Sequence, residues 1–423
     1  MRWTRPSLRY WPLISVFTLA FVLACGGGDG ESTFRLAPTQ PPTNNAPAAT
    51  ATIAAPPAAT EAVNAKYAWD FQPVNEGTKP ALALTSKDVP HIQYMLEAQN
   101  GWVKKAVLGG GTWGITTVAE GYFYGPGDID IGPDDVPWIS YHDHQDSSFN
   151  PTKGDAISAV FRNGVWDVAA IPSDGHDGWG NRVFVDAQGN PHISAVAPRE
   201  FGGGGVKYYG FNGTYWDVED IGGPSISYAC GTSLAIDVQG TPHFVYFNDQ
   251  ANELHYAVKS AGSWVITTVD GGGAGLYPDI VLGADGTPHI SYVEEARNGG
   301  LTLKYAVLKG GDWQVTTLDT TNNLVIDKNL GSKGARNLTS IVLDGEGNPI
   351  ISYSDEDVMK VAYFDGAEWR TETNATSEGD PFAQLTSLRV GSDGTLHLAY
   401  ALVTGTRPLE GEIWYAKGTL QTP

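Results

Sequence analysis

The chain has 423 residues and a net charge of −21, with 17% of its residues charged. A surface this acidic repels phosphate backbones and anionic headgroups, so nucleic acid is not an expected partner, and a membrane is to be met only through a covalent anchor. Its 52 glycines and 13 tryptophans against three methionines suit many short strands joined by tight turns, and exclude a helical body. The acidity serves either the solubility of an exported protein or, more specifically, a cationic ligand or Ca²⁺.

Residues 1–24 carry a basic start (Arg2, Arg5, Arg9), an apolar run from Leu13 to Leu23 and a small residue, Ala24. The run is too short for a lasting span and reads as an export signal. Its end, Val22-Leu23-Ala24-Cys25-Gly26, resembles the lipobox of bacterial lipoproteins. The resemblance implies cleavage behind Ala24 and lipidation of Cys25, leaving the protein lipid-anchored to the cell membrane or envelope surface. With Cys25 lipidated, Cys230 has no disulfide partner and reads as a small buried apolar residue.

Residues 25–66 are rich in Pro, Ala, Thr and Gly with hardly a large apolar side chain. Such a segment buries too little surface to offset its ordering entropy, which predicts a disordered tether.

From residue 67 to 423 a repeat takes over. Its clearest mark is Pro-His-Ile-Ser-Tyr or a variant, beginning at Pro90, Pro137, Pro191, Pro242, Pro288, Pro349 and, with Leu in place of Pro, at Leu396. The seven copies are spaced by about 46 to 61 residues, the range of four-stranded propeller blades with loop insertions. A turn such as Asp237-Val-Gln-Gly240 precedes most marks and reads as a tight hairpin, because Gly supplies positive φ and Asp bonds the local backbone. A third strand follows (Leu254-His-Tyr-Ala, Leu303-Lys-Tyr-Ala), then a tryptophan strand at Trp113, Trp166, Trp216, Trp264, Trp313 and Trp369.

The seventh copy ends near Tyr415 without its tryptophan strand, while a lone strand of that type around Trp69 precedes the first copy. A ring accounts for both: the N-terminal strand completes the last blade and removes an open edge. In these features the chain resembles the seven-bladed β-propellers, an all-β fold of four-stranded blades. Individual turns are loosely similar to the Asp-box of sialidase-like and lectin-like propellers, but lack the Ser-x-Asp-x-Gly-x-Thr-Trp order, and no arginine cluster or Tyr/Glu pair maps onto sialidase chemistry.

In such a ring the loops between second and third strands, and the connections between blades, share one face. Here they are long and individual, so a binding site is expected there, near the central channel. His142, Asp143, His144 and Asp146 end one strand and could hold a metal or form a solvated polar loop. His176, Trp179 and Arg199 combine an indole with polar groups in the manner of a sugar site, the alternative being that Trp179 packs between blades. Tyr122, Tyr277 and Arg336 sit in other long connections and are expected at the same mouth.

The histidines of the repeat (His91, His192, His243, His289, His397) read as packing and hydrogen-bonding elements, since repetition argues against a single site. No nucleophile elbow, phosphate loop, dinucleotide fingerprint or zinc-protease motif is present, and no cofactor is expected. The leading expectation is a monomeric envelope lipoprotein binding extracellular glycan or an envelope protein. A propeller-type polysaccharide hydrolase or lyase using Asp143 or Asp355 with a histidine is the runner-up, and a structural scaffold of an envelope complex the third reading.

Overall fold

A computed structural model describes residues 65–96, 101–123, 125–143, 154–173, 177–197, 205–222, 231–295, 301–319, 338–355, 358–374, 382–406 and 409–421. The proposed leader, Cys25, the tether as far as residue 64 and Cys230 lie outside these.

Seven four-stranded antiparallel sheets form the blades of a β-propeller. Blades 1 to 6 are each built from four consecutive strands; the seventh takes its outer strand from the N-terminus. Tyr67–Glu76 pairs antiparallel with Leu409–Leu420, placing Trp69 opposite Gly418 and Pro73 opposite Trp414, with a register shift just after Pro73. Proline is tolerated there because this is the outermost strand, whose other edge has no partner to serve.

The inner strands are Thr78–Leu84, Asp128–Ile131, Trp179–Val185, Thr232–Ile236, Ala274–Leu282, Thr339–Leu343 and Phe382–Val390. Each starts on the face of the long connections, here called the mouth face, and ends at a tight hairpin on the opposite, turn face, which carries both Asp and Gly in blades 3 to 7. The second strands carry the repeat mark and supply much of the core: Ile92, Ile139, Ile193, Phe244, Ile290, Ile351 and Leu398 are buried.

The repeated polar residues weld blade to blade. In blade 3, His192 Nδ1 meets the Tyr208 hydroxyl at 2.6 Å and its Nε2 meets Asp186 at 3.2 Å. The Trp264 ring of blade 4 packs edge-on against that same Tyr208, 5.7 Å between centroids. The relay recurs as Trp313–Tyr256–His243 and Trp369–Tyr305–His289, and across the closure as Trp113–Tyr415–His397. Burial of these imidazoles holds them neutral, with His289 lowered to about 4. A neutral ring can accept from tyrosine on Nδ1 while donating from Nε2 to the turn aspartate.

A second weld joins the outer strands of blades 4, 5 and 7 to the next blade. The Tyr292 hydroxyl donates to Asp270 (2.8 Å), Tyr353 donates to Asp319 (2.7 Å), and at the closure Asn75 donates to Tyr94 (2.7 Å).

Candidate functional site: the central channel and its mouth

Cross-strand register identifies the equivalent inner-strand positions of the seven blades. The positions opposite the repeat serine and its counterparts are Ala81, Asp128, Arg182, Ser233, Asp279, Ser340 and Ser387. Two residues further on lie Ala83, Asp130, Phe184, Ala235, Val281, Val342 and Arg389. Because alternate residues of a strand share a face, these make two stacked rings around the axis. A cavity of about 180 Å³ lies among them, lined by Asp128, Asp130, Arg182, Asp279 and Arg389 together with Phe184, Ser233, Val281 and Val342.

Seven near-equivalent blades serve as controls on one another. Ser387 Oγ accepts the Leu82 N–H of the next blade at 3.0 Å, and Ser340 Oγ accepts that of Leu388 at 3.1 Å. Asp128 does the same for Val183 (3.0 Å) and Asp279 for Ile341 (3.1 Å). A serine therefore suffices for the structural bond, and the carboxylates bring charge that the ring does not require. Asp130 likewise accepts the Val185 N–H at 2.7 Å.

Burial pushes the Asp128 carboxyl up from its ordinary range and that of Asp130 up to about 6, opposed in both cases by the Arg389 guanidinium and, for Asp128, more strongly by Arg182. Arg182 stands 3.6 Å from Asp128 Oδ1. Asp128 is 3% exposed, and no hydrogen bond reaches that Oδ1 among the described residues. Asp279, across the channel, is held by the Ser233 hydroxyl at 2.8 Å and has no ion-pair partner among the described residues.

At the mouth, the inner strands of blades 1, 3, 5 and 7 begin with a bulge. Its residue is left-handed in each: Lys79 (φ 56°), Gly180 (φ 56°), Tyr277 (φ 51°) and Leu385 (φ 59°). Only one of the four is glycine, so three side chains are held in a conformation that costs of order 1 kcal/mol each. Tyr277, Pro126, Asn181 and Arg182 line a small recess at this rim.

Among the residues singled out in the sequence, Tyr277 lies within the inner strand Ala274–Leu282 rather than in a long connection, and lines the recess at the rim. His142 and Trp179 are brought together, ring centroids 4.5 Å apart, but each is only 1% exposed. That corrects the expectation of an open sugar platform: Trp179 begins an inner strand, so its ring turns into the packing between blades 2 and 3. Tyr122 is half-buried beside Phe123, which bridges to Asp143. Asp355 is ion-paired with Lys360. His144, Asp146, His176, Arg199 and Arg336 lie outside the described residues. No group of three or more His, Cys, Asp or Glu able to hold a metal occurs among the described residues.

Sequence reading missed the channel acids and guanidiniums. Their signal was a charge inside a short apolar strand, as in Asp128-Ile-Asp130 and Pro278-Asp279-Ile280.

No family model matches this sequence, and no curated protein matches it. Similar solved structures include a protein of unknown function from Dyadobacter fermentans (8% identity, TM-score 0.48, covering 83% of this chain and 99% of that one). An α-L-arabinofuranosidase from Fusarium graminearum matches at 10% identity and TM-score 0.49, over 84% of this chain and 98% of its own. A sialidase from Streptococcus pneumoniae matches at 10% identity and TM-score 0.42, over 81% and 68%.

Proposed function

We propose that this chain is a lipid-anchored envelope protein whose propeller binds an extracellular glycan at the channel mouth. The observation that carries the reading is the set of charged channel residues at positions where other blades use Ala81, Ser233, Ser340 or Ser387. Buried charge that the architecture does not need is characteristic of ligand sites. Tyr277 at the rim adds a ring with a hydroxyl, suited to the face and edge of a sugar.

The test is a glycan array with the purified protein. Binding to a defined glycan that drops at least tenfold in Tyr277→Ala supports the reading; silence on the array together with a stoichiometric co-purifying protein rejects it in favour of an envelope-protein partner.

A polysaccharide hydrolase or lyase is the second reading, favoured by the paired carboxyls Asp128 and Asp130, both raised by burial. Release of shortened product from a bound glycan, abolished in Asp130→Asn, would select it.

A further inference from the structure

The charges in the channel do not balance locally. Arg182 stands 3.6 Å from Asp128 Oδ1, and the Arg389 guanidinium, though in no ion pair with either, favours the charged forms of Asp128 and Asp130, so the field of both guanidiniums falls on the carboxyls of blade 2. Arg389 is tethered further by donating to the Leu388 carbonyl at 2.8 Å. Asp279, on blade 5, is left with hydrogen bonds from Ser233 and Ile341 and no cation among the described residues. Asp128, which lines the same cavity, keeps a buried Oδ1 that receives no hydrogen bond among those residues. Phe184 supplies an aromatic face to that cavity.

A carboxylate without a counter-ion and an aromatic ring in one confined space are the two elements that recognise an ammonium group, through a charge-assisted hydrogen bond and a cation–π contact. The net charge of −21 adds a negative field that a channel with low-dielectric walls concentrates. A ligand anion would meet the opposite: three acidic side chains around it, Arg182 already paired with Asp128 and Arg389 bonded to the Leu388 carbonyl.

We infer that the channel binds a protonated primary amine, carried by a glycan with free amino sugars, against Asp279 and Phe184. This rests on the glycan reading above and adds the chemistry of the group that enters the channel.

Calorimetric titration of the full chain in detergent tests it with four probes: a glucosamine tetramer, its fully N-acetylated counterpart, cellotetraose and cadaverine. The expected result is that the glucosamine tetramer binds at least tenfold more tightly than the other three, and that Asp279→Ser removes this preference. Serine is the chosen substitution because Ser340 and Ser387 already serve as the inter-blade acceptor in this ring, so the fold is kept; Phe184→Leu is expected to weaken the tetramer about threefold or more as an independent check. Equal binding of the three tetrasaccharides overturns the ammonium site and leaves the glycan reading standing. Cadaverine binding as tightly as the tetramer, and losing that affinity in Asp279→Ser, supports the ammonium site and overturns the glycan reading. No binding of either amine, or binding indifferent to Asp279→Ser, overturns the inference.

Discussion

His289 shows how the repeat uses a titratable group for structure. Its Nδ1 lies 2.6 Å from the Tyr305 hydroxyl, and burial, aided by Lys309, lowers it to about 4 against an ordinary value of 6.5. Between those values the unfolded chain binds more protons than the folded one, so stability falls as pH drops from about 6.5 to about 4. The raised Asp130 acts oppositely through part of that window, being easier to bury when protonated. A difference measurement removes it. His289→Gln is expected to be less stable than the parent by about 1 kcal/mol at pH 7, having lost one buried hydrogen bond. That gap should close and then reverse as the pH falls from about 6.5 towards 4, as read from urea midpoints; a gap independent of pH would refute the neutral-histidine account. Blade 1 gives the natural contrast, with Lys105 at the tyrosine position. Its ammonium lies over the Phe161 and Trp166 rings at 4.9 and 5.2 Å, so the tryptophan wedge persists with a different partner. Burial lowers Lys105 to about 8, which marks how little water reaches this position.

At the scale of the strand, closure of the ring was legible because the N-terminal segment carries the tryptophan pattern that the last copy lacks. What the sequence did not display is how tightly that strand is seated. A Cβ on Gly418 would stand 2.9 Å from the Trp69 ring, so the glycine is there to admit the indole across the closing pair. Gly418→Val is accordingly expected to destabilise the protein by about 1–3 kcal/mol through overpacking. Trp69→Ala alone should cost about 2 kcal/mol, its ring being only partly buried. Combined, the two changes should cost clearly less than their sum, because the valine then occupies space the indole has vacated. Additive losses in thermal or urea unfolding would mean that the contact does not hold the ring. The inner strands were the harder elements to read. A charge in a four- or five-residue apolar run looks solvent-facing until seven such runs are arranged in a circle, and only then do Asp128, Asp279 and Arg389 turn towards a shared axis. Trp179 misled for the complementary reason: flanked by Gly178 and Gly180, it reads as a loop residue, yet it is the first residue of a strand.

For the whole molecule, the direction of the closing strand sets which face the proposed anchor would present. Outer strands run from the turn face to the mouth face, where Gly77 passes directly into the first inner strand. The polypeptide therefore joins the propeller on the turn face, where the Gln421 N–H donates to the Lys66 carbonyl at 2.9 Å. A tether ending at Lys66 would therefore meet the propeller on the face opposite the channel mouth and leave that mouth unobstructed. The lipid is tested by detergent phase separation of the protein expressed in a bacterial host. The parent should partition into the detergent phase, and Cys25→Ser should move at least nine-tenths of the protein to the aqueous phase. Partition of both forms into the aqueous phase would reject the anchor while leaving the channel and its chemistry as they stand.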